Sequence, residues 1–413
     1  REREIREHVP DETWQLIVRL ALNLADVGSL TKSWPEFMAQ KDDKDKPPTI
    51  KRQNSWLAEH RGLKAELVQV GGAKFDLGSS RDEARDLSVE ITGIAEAVGL
   101  NHVTVKSVEN PEGKGPARYQ RTVHGDIDPK VLYKVTSRET KQTQSRPSAP
   151  FITSTLQMTA SNVLGFTASR TMRVAQKLYE GMEIPGEGHV GLISYMRTDS
   201  TNIAPEAIEK ARQHIRKHYG DAYLPEKPKF YGSSNKKAQE AHEAIRPTDV
   251  NHIPAKIAGA LDEDQLKLYQ LIYNRFLACQ MTEAKWNAMT VLFERSDKST
   301  GAVLKVTGRV LTFDGFYRVT GLPTASDEQT LPVLEDNQEL GPFSIEPVQK
   351  FSSPPSRYNE GSLVKKLEDE GIGRPSTYAS IIKVIQDRQY AEKRSNRFHA
   401  TSLGEVVTEK LIE

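Results

Sequence analysis

The feature that most constrains the fold is a pattern of hydrophobicity that changes twice along the chain. Alternating apolar and polar residues, typical of strands, recur before residue 150, as in 65–70 and 103–108. From 151 to 282 the apolar residues recur at helical spacing, and strand-like runs return at 287–294, 303–307 and 315–320. The simplest interpretation is a multidomain α+β protein in which one strand-rich domain is interrupted by a mostly helical one. A chain of 413 residues is also too long for a single hydrophobic core.

We therefore divide the chain into four predicted parts: a first strand-rich part (1–150), a helical domain (151–282), a second strand-rich part (283–350) and a C-terminal segment (351–413). The helical domain and the C-terminal segment each contain a helix, a glycine, a second helix and then strand-like residues. Because this order is typical of a winged helix, both are predicted to be winged-helix-like.

Composition excludes several classes of protein. No apolar run approaches the roughly 20 residues that a membrane-spanning helix needs, so no membrane partner is expected. Cys279 is the one cysteine of the sequence, which excludes intrachain disulfides and multi-cysteine zinc sites and indicates a reducing, cytoplasmic location. There is no Walker A motif, so the use of ATP is not expected. The net charge of +1 argues against indiscriminate coating of a duplex, yet local basic clusters can still line a nucleic-acid groove.

Residues 191–201 contain an apolar run that leads to Tyr195, and Arg197 follows. In an extended strand, residues i and i+2 share a face, so the phenol and the guanidinium would point to the same side. A neighbouring cation activates a phenol as a nucleophile, and a guanidinium can stabilise charge that develops on an attacked phosphate. Asp199 is a candidate to orient the arginine or a hydroxyl. The alternative, a packed tyrosine beside an ordinary surface arginine, is favoured for this motif alone.

Three other groups point to phosphate binding. His242 and Arg246 would share a face if they lie one helical turn apart, although a helix that simply ends at Pro247 is the favoured alternative for this motif alone. Arg170 and Arg173 have the i, i+3 spacing of one helix face.

A turn at the start of the second C-terminal helix forms the last of these groups. It combines Arg374 with the hydroxyls of Ser376 and Thr377, and helix N-termini are natural anion sites. Ordinary capped, solvated helices remain an equal alternative for this turn and for the Arg170 group.

Other motifs do not support a site. Residues 186–191 match the dinucleotide pattern G-x-G-x-x-G but neither follow a strand nor open a helix, so a loop is predicted. Asp126 and Asp128 lie in a polar stretch without a third acid, which favours a turn. His214 and His218 have a zinc-ligand spacing, but Arg216 and Lys217 lie between them, and a solvated basic helix is predicted instead.

Taken together, these motifs resemble the type IA DNA topoisomerases. The similar segments occur in the family's order and span nearly the whole chain: 2–6, 149–157, 171–181, 191–201, 240–248, and 357–358 with 371–380. The resemblance implies a toroidal architecture with a strand-rich gate arch, a domain that carries a nucleophilic tyrosine, and part of a single-strand-binding domain. It also implies an isomerase that acts as a monomer on single-stranded segments and on negatively supercoiled duplex DNA.

The resemblance assigns roles residue by residue. Tyr195 matches the nucleophile that forms a 5′-phosphotyrosyl bond, Arg197 its phosphate-stabilising partner, and His242 a histidine linked to binding and cleavage. The residues expected to contact DNA are Arg170, Arg173, Asp199, Arg246, Arg357, Arg374, Ser376 and Thr377. Strand passage would relax negatively supercoiled DNA without ATP, since the phosphotyrosine stores the energy of the cut bond.

The departures from the family pattern are equally specific. The Toprim domain, with its acidic residues and Mg²⁺, has no counterpart here, and neither do the C-terminal zinc or basic repeats. We therefore expect a core fragment that contains no metal site and does not relax DNA by itself. Residues 25–51 are interpreted as an insertion or a divergent stretch of the arch. The alternative function is a non-catalytic module that binds single-stranded DNA or a partner; a tyrosine recombinase or relaxase is disfavoured because its constellation cannot be matched.

Overall fold

The structure, a computed structural model, describes residues 1–232, 242–323 and 331–412. The strands of this part of the chain are β1 (Glu12–Ala21), β2 (Gly62–Val70), β3 (Ala73–Lys74), β4 (Gly78–Ser79), β5 (Leu100–Glu109), β6 (Tyr119–Ile127), β7 (Tyr133–Ser145), β8 (Met182–Ile184), β9 (Gly188–Val190), β10 (Ala284–Arg295), β11 (Val303–Phe313), β12 (Glu339–Phe351), β13 (Ala391–Arg394) and β14 (Arg397–Ala400). The helices are α1 (Glu2–Glu7), α2 (Val27–Met38), α3 (Ile50–Glu59), α4 (Ser88–Val98), α5 (Thr153–Thr159), α6 (Ala168–Glu180), α7 (Pro205–Tyr219), α8 (Pro254–Ile257), α9 (Glu263–Cys279), α10 (Tyr317–Thr320), α11 (Glu360–Asp369), α12 (Tyr378–Asp387) and α13 (Ser402–Ile412).

A large antiparallel sheet unites strands from both sides of the helical region. Its order is β3-β2-β11-β10-β7-β12-β1-β4, and β2 also pairs with β1. The pairing β1–β12–β7–β10–β11–β2 therefore returns to β1 and closes a ring of six strands. Within it, Val18 of β1 lies opposite Ile345 on one side and Ala65 on the other. A mixed fold with an interrupted sheet is thus confirmed, while the four domain boundaries remain predictions.

Alternation along β1 explains why the sheet closes around an apolar core. Trp14, Leu16, Val18 and Leu20 are all buried on one face. They pack in a cluster with Phe293 and other apolar residues from strands that follow the helical region. Burying one such side chain stabilises the folded state by about 1.5–3 kcal/mol, so this cluster ties the two halves of the sheet together.

The helical region has its own core around α9. Asp262 caps the start of this helix in a reciprocal arrangement with Gln265, and one face of the helix is buried. That face packs with Phe151 and with Ile193 and Met196, which lie on either side of Tyr195. Residues 191–201 are called the tyrosine motif below. The tyrosine motif therefore packs on the same hydrophobic core as α9.

Some local predictions from the sequence need correction or refinement. The stretch 25–51 contains α2 and the start of α3, which pack an aromatic cluster of Trp34, Phe37 and Phe343 against the sheet. The segment 315–320, which has the pattern of a strand, instead contains the short helix α10, because Phe316 and Tyr317 pack together beside the helical core. Gly186 lies in the β8–β9 turn and Gly188 begins β9, so the G-x-G motif does follow a strand, contrary to expectation, but it opens no helix.

The elements of the C-terminal segment follow the predicted order. After α11 come Gly371 and Gly373 with positive φ, then α12, and then the β13–β14 hairpin. Ser395 and Asn396 form the hairpin turn with φ of 45° and 61°. In the helical region, α5 and α6 are followed by the β8–β9 hairpin. The winged-helix interpretation of both regions remains a prediction. In the described ranges, no helix is long and apolar enough to cross a membrane.

His214 is buried between α7 and α9, so the solvated helix predicted for His214 and His218 is wrong at His214. Its Nε2 lies 3.2 Å from the Tyr273 hydroxyl, which donates to the carbonyl of Val250. Burial, followed by the charge of His218, lowers the pKa of His214 to about 4. Between that value and the ordinary 6.5, the unfolded chain binds more protons than the folded one, so stability rises with pH.

We predict that the free energy of unfolding contributed by this one group falls by about 2 kcal/mol when the pH is lowered from about 7 to 5. Urea unfolding is measured at both pH values for the wild-type chain and for His214→Gln. The contribution of His214 is the change in the free energy of unfolding between the two pH values in the wild type, minus the same change in the variant. His124→Gln supplies the matched control, because it makes the same substitution at an exposed position on β6. Equal pH dependence in wild type and His214→Gln would contradict the prediction.

Candidate active site around Tyr195

The tyrosine motif does not form the predicted strand, because its backbone bends at Ser194, Met196 and Arg197. Outside an isolated bridge between Ile193 and Pro247, residues 191–201 join no sheet. Their side chains nevertheless alternate: Tyr195 is 42% exposed and Arg197 is exposed, while Met196 is 0% exposed. The phenol and the guanidinium are therefore both exposed, but the strand was wrongly predicted, and the shared side inferred from it stays a prediction.

Hydrogen bonds from distant parts of the chain hold this segment in place. The N–H of Leu192 donates to the carbonyl of Leu178 at 2.8 Å, which attaches the segment to the end of α6. On the opposite side, the N–H of Ser194 donates to the carbonyl of Arg246 at 2.9 Å, and the N–H of Thr248 donates to that of Leu192 at 3.0 Å. The backbone around Tyr195 is thus fixed on both sides before any substrate binds.

Thr153, at the start of α5, fixes the backbone on either side of Arg197. Its hydroxyl accepts the N–H of Thr198 at 2.9 Å and donates to the carbonyl of Met196 at 2.8 Å. Its own N–H donates to the carbonyl of Thr198 at 2.9 Å. Sequence reasoning did not identify Thr153, which is buried. The signal that could have found it is a polar residue at a predicted helix start.

The phenol of Tyr195 lies between two other rings. The ring of Tyr179, at the end of α6, meets it edge-on with centroids 5.5 Å apart. The ring of His242 lies 6.0 Å away at a tilted angle. In residues 1–232, 242–323 and 331–412, the Arg197 side chain makes no ion pair and no hydrogen bond. The site therefore combines an exposed phenol, an imidazole and a guanidinium that is available for a ligand.

The described residues around His242 and Arg246 form no helix, so both the helical spacing of this pair and a helix that ends at Pro247 were wrongly predicted. Ile245 and Pro247 bridge to Phe151 and Ile193 instead. The guanidinium of Arg246 forms an ion pair with Glu243 at 2.6 Å and also donates to the carbonyl of Pro247. Contact of Arg246 with DNA remains a prediction. Such a contact requires the guanidinium to leave Glu243 for a phosphate.

Two of the other arginines that are predicted to contact DNA form ion pairs with carboxylates. Arg170 pairs with Asp264 through two bonds of 2.7 and 2.8 Å, which lower the pKa of that carboxyl. Arg357 pairs in the same way with Glu2 and lowers its pKa. Arg173 is exposed on α6. The two paired arginines therefore tie distant parts of the chain together.

The turn before α12 is organised by its own side chains. The hydroxyl of Thr377 accepts the N–H of Arg374 at 2.8 Å, and the Arg374 guanidinium donates to the carbonyl of Gly373. Ser376 is exposed beside them. This turn thus presents an arginine and a hydroxyl to solvent, as predicted.

The structure brings this turn close to the tyrosine motif through α11. Burial raises the pKa of Glu368, and the nearby charges of Asp369 and Asp199 raise it further. Burial also raises the pKa of Tyr378, with Glu368 and Asp199 adding to the effect while Arg374 opposes it. Asp199 is therefore within electrostatic reach of α11 and α12. Sequence reasoning missed Glu368.

The acidic residues do not fit a magnesium site. In the part of the chain that the structure describes, no three His, Cys, Asp or Glu side chains are grouped so as to hold a metal ion. Mg²⁺ prefers several carboxylate and water oxygens in octahedral geometry. The pair formed by Asp199 and Glu368 does not provide such a set.

Comparison with known proteins decides the family. A family model described as DNA topoisomerase matches residues 115–413, well over half of the chain. The chain belongs to the type IA DNA topoisomerase family. It is thus an isomerase-family member, and the proteins to which it is similar are DNA topoisomerase 1 enzymes of bacteria.

Three relatives illustrate this topoisomerase similarity. The chain is 48% identical to DNA topoisomerase 1 of Haemophilus influenzae over 366 residues, which is 87% of this chain and 40% of that protein. It is 47% identical to that of Escherichia coli over 370 residues, with the same two shares. Full-length topoisomerase I from Thermotoga maritima has a similar structure, with a TM-score of 0.66 and 30% identity over all of this chain and 53% of that one. The chain thus spans two fifths of these two curated relatives and about half of the Thermotoga protein.

Proposed function

We propose that this chain is the core of a type IA topoisomerase that cuts and reseals one DNA strand through Tyr195. The observation that carries the proposal is that Tyr195 and Arg197 are both exposed on a backbone fixed by Thr153, with the His242 ring 6.0 Å from that of Tyr195 and with no ion pair or hydrogen bond of Arg197 in the described ranges. The outcome would be relaxation of negatively supercoiled DNA through strand passage. The chain would act as a monomer in the cytoplasm.

The proposed chemistry follows from the groups around the phenol. The Tyr195 oxygen attacks a phosphorus atom, the bond to the 3′ oxygen breaks, and the new bond links the phenol to the 5′ phosphate. The phenol proton leaves, and the 3′ oxygen gains a proton to become a free hydroxyl. Arg197 stabilises the charge on the phosphate oxygens, and His242 contacts the same region. Reversal of these steps reseals the strand, so no ATP is needed.

Single-stranded DNA would reach this site across α6 and the turn before α12. Arg173, Arg374, Ser376 and Thr377 are exposed there and suit contacts with phosphate oxygens. Arg170, Arg246 and Arg357 pair with acids in this structure, so each would exchange a carboxylate for a phosphate on binding. Asp199 and the winged-helix-like modules would orient the strand between them.

The experiment that tests the proposal uses the full-length protein, meaning this chain together with the parts that its longer relatives carry. Single-stranded DNA labelled at its 3′ end should become covalently attached to the protein on a denaturing gel, while a 5′ label should remain on released DNA. The reverse pattern would indicate a 3′-phosphotyrosyl bond and another class of enzyme. Attachment of neither label would contradict the proposal.

The 413-residue chain is predicted not to relax supercoiled DNA by itself. The family resemblance implies a Mg²⁺ site on acidic residues of a Toprim domain, and the acids described here do not form one. Relaxation is measured as the shift of plasmid topoisomers on an agarose gel, with Mg²⁺ present. The full-length protein is the positive control. Robust relaxation by the isolated chain would contradict this prediction.

A further inference from the structure

The C-terminal segment packs closely against the helical region along a seam between α5 and α11. Gly361 of α11 approaches the backbone of Met158 so closely that a Cβ at Gly361 would lie 3.1 Å from Met158 Cα and O. Next to it, the amide of Asn359 donates to the side chain of Asn162 at 3.2 Å. The two elements are therefore in direct contact, with space for no larger side chain at Gly361.

The seam contains buried polar groups that are poorly satisfied. Ser154 and Gln157 are each 1% exposed and lie three residues apart on α5, so they share a face. Within the described residues, both amide atoms of Gln157 have no hydrogen-bond partner, whereas the Ser154 hydroxyl interacts with the Glu368 carboxyl and opposes the rise of its pKa. Glu368 lies beside Ser154, and burial raises its pKa, as does the charge of Asp199. These groups cost free energy while the seam is closed, because opening would return them to water.

The contacts of Glu360 stabilise the closed seam. Its carboxylate is 2% exposed, and Oε2 accepts the N–H of Ala168, the first residue of α6, at 2.7 Å. Oε1 forms an ion pair with Lys393 at 3.2 Å. The carboxylate thus lies at the N-termini of α6 and of α11, where the helix dipoles favour a negative charge. It is a charged group that links the C-terminal segment directly to α6.

The opposite end of α6 positions the tyrosine. The carbonyl of Leu178 accepts the N–H of Leu192 at 2.8 Å, and the ring of Tyr179 contacts that of Tyr195. The contact is tight, since a Cβ at Gly191 would lie 2.7 Å from the carbonyl oxygen of Tyr179. Any displacement of α6 is therefore transmitted to the backbone that carries the phenol.

We propose that Glu360 is a positioning residue for strand cleavage: it fixes α6 against the C-terminal segment and thereby holds Tyr195 in its reactive position. This inference rests on the proposed function of Tyr195. It assigns to Glu360 no contact with DNA, so its loss should slow the chemical step and leave the affinity for DNA unchanged.

The test measures covalent attachment of 3′-labelled single-stranded DNA to the full-length protein at increasing DNA concentrations. Glu360→Ala should lower the maximal cleavage rate by about tenfold or more, with an unchanged half-saturating DNA concentration. Glu360→Gln, whose amide oxygen can still accept the Ala168 N–H, should restore most of the rate. Glu405→Gln is the matched control, because Glu405 lies in the same segment and pairs with the exposed Arg6.

A second variant opens the seam without a change to Glu360. Gly361→Ala places a methyl group against the Met158 backbone and should reproduce the rate loss of Glu360→Ala. A wild-type rate in both variants, or a Glu360→Gln rate as low as that of Glu360→Ala, would overturn the inference. If wild-type protein forms no adduct, the proposed function itself fails; if wild type reacts and Glu360→Ala reacts equally fast, only the role of Glu360 is refuted.

Discussion

Replacement of Tyr195 by phenylalanine in the full-length protein is expected to abolish covalent attachment to DNA and to lower relaxation by about 10⁴-fold or more. The change removes the attacking oxygen and nothing else. The ring keeps its contacts with Tyr179 and His242, and the backbone keeps its hydrogen bonds, so the fold should be unchanged. The measurement combines plasmid relaxation with the gel assay for the covalent adduct.

Tyr179→Phe is the matched control for this prediction, because Tyr179 lies next to Tyr195 and is similarly exposed. It should retain cleavage, since it keeps the aromatic ring that packs against Tyr195. DNA binding by both variants, followed by fluorescence anisotropy, should stay close to that of wild type. Undiminished relaxation by Tyr195→Phe would favour the alternative, a module that binds DNA and takes no part in the chemistry.

The second large effect is expected for Arg197→Lys, which should lower the cleavage rate by about 10²-fold while DNA affinity falls much less. Lysine keeps the charge but loses the planar pair of N–H donors that matches two phosphate oxygens. The side chain is exposed and has no hydrogen bond or ion pair in the described ranges, so the change should not disturb the fold. Single-turnover cleavage and equilibrium binding, measured on the same oligonucleotide, separate the two quantities.

Arg173→Lys is the comparison for Arg197→Lys. Arg173 is exposed on α6 and is predicted to contact the strand without a role at the reacting phosphate. Its replacement should leave the cleavage rate of bound DNA close to the wild-type value. Equal losses of rate and affinity in Arg197→Lys would show that Arg197 is only a backbone contact.

The alternation of side chains around Tyr195 was predictable from the sequence, but its cause was not. An apolar run with a tyrosine and an arginine two residues apart indicates one shared side. The partners that hold the segment in place are Thr153 and residues 244–248, about fifty residues away on either side. Hydrogen bonds at such separations leave no periodic signal, so the segment was assigned to a sheet that it does not join.

The same limit explains the missed acidic residues and the wrong helix. Glu360 accepts a hydrogen bond from Ala168 of α6, which lies 192 positions earlier in the chain. In the sequence, the residues next to Glu360 indicate only an ordinary helix start. Glu368 gains its unusual environment from Ser154 and Asp199, which are equally remote. Around Arg246, the bridges of Ile245 and Pro247 to distant residues outweigh local helical spacing. The large sheet was predictable because alternation within each strand is local, whereas its closure into a ring was not.

The most direct test of the central claim identifies the residue that carries the DNA. The full-length protein is trapped with single-stranded DNA under denaturing conditions, digested with nuclease and protease, and analysed by mass spectrometry. We predict a nucleotide linked through its 5′ phosphate to the peptide that contains Tyr195. A nucleotide on Tyr179 or on any other residue, or one linked through its 3′ phosphate, would contradict it.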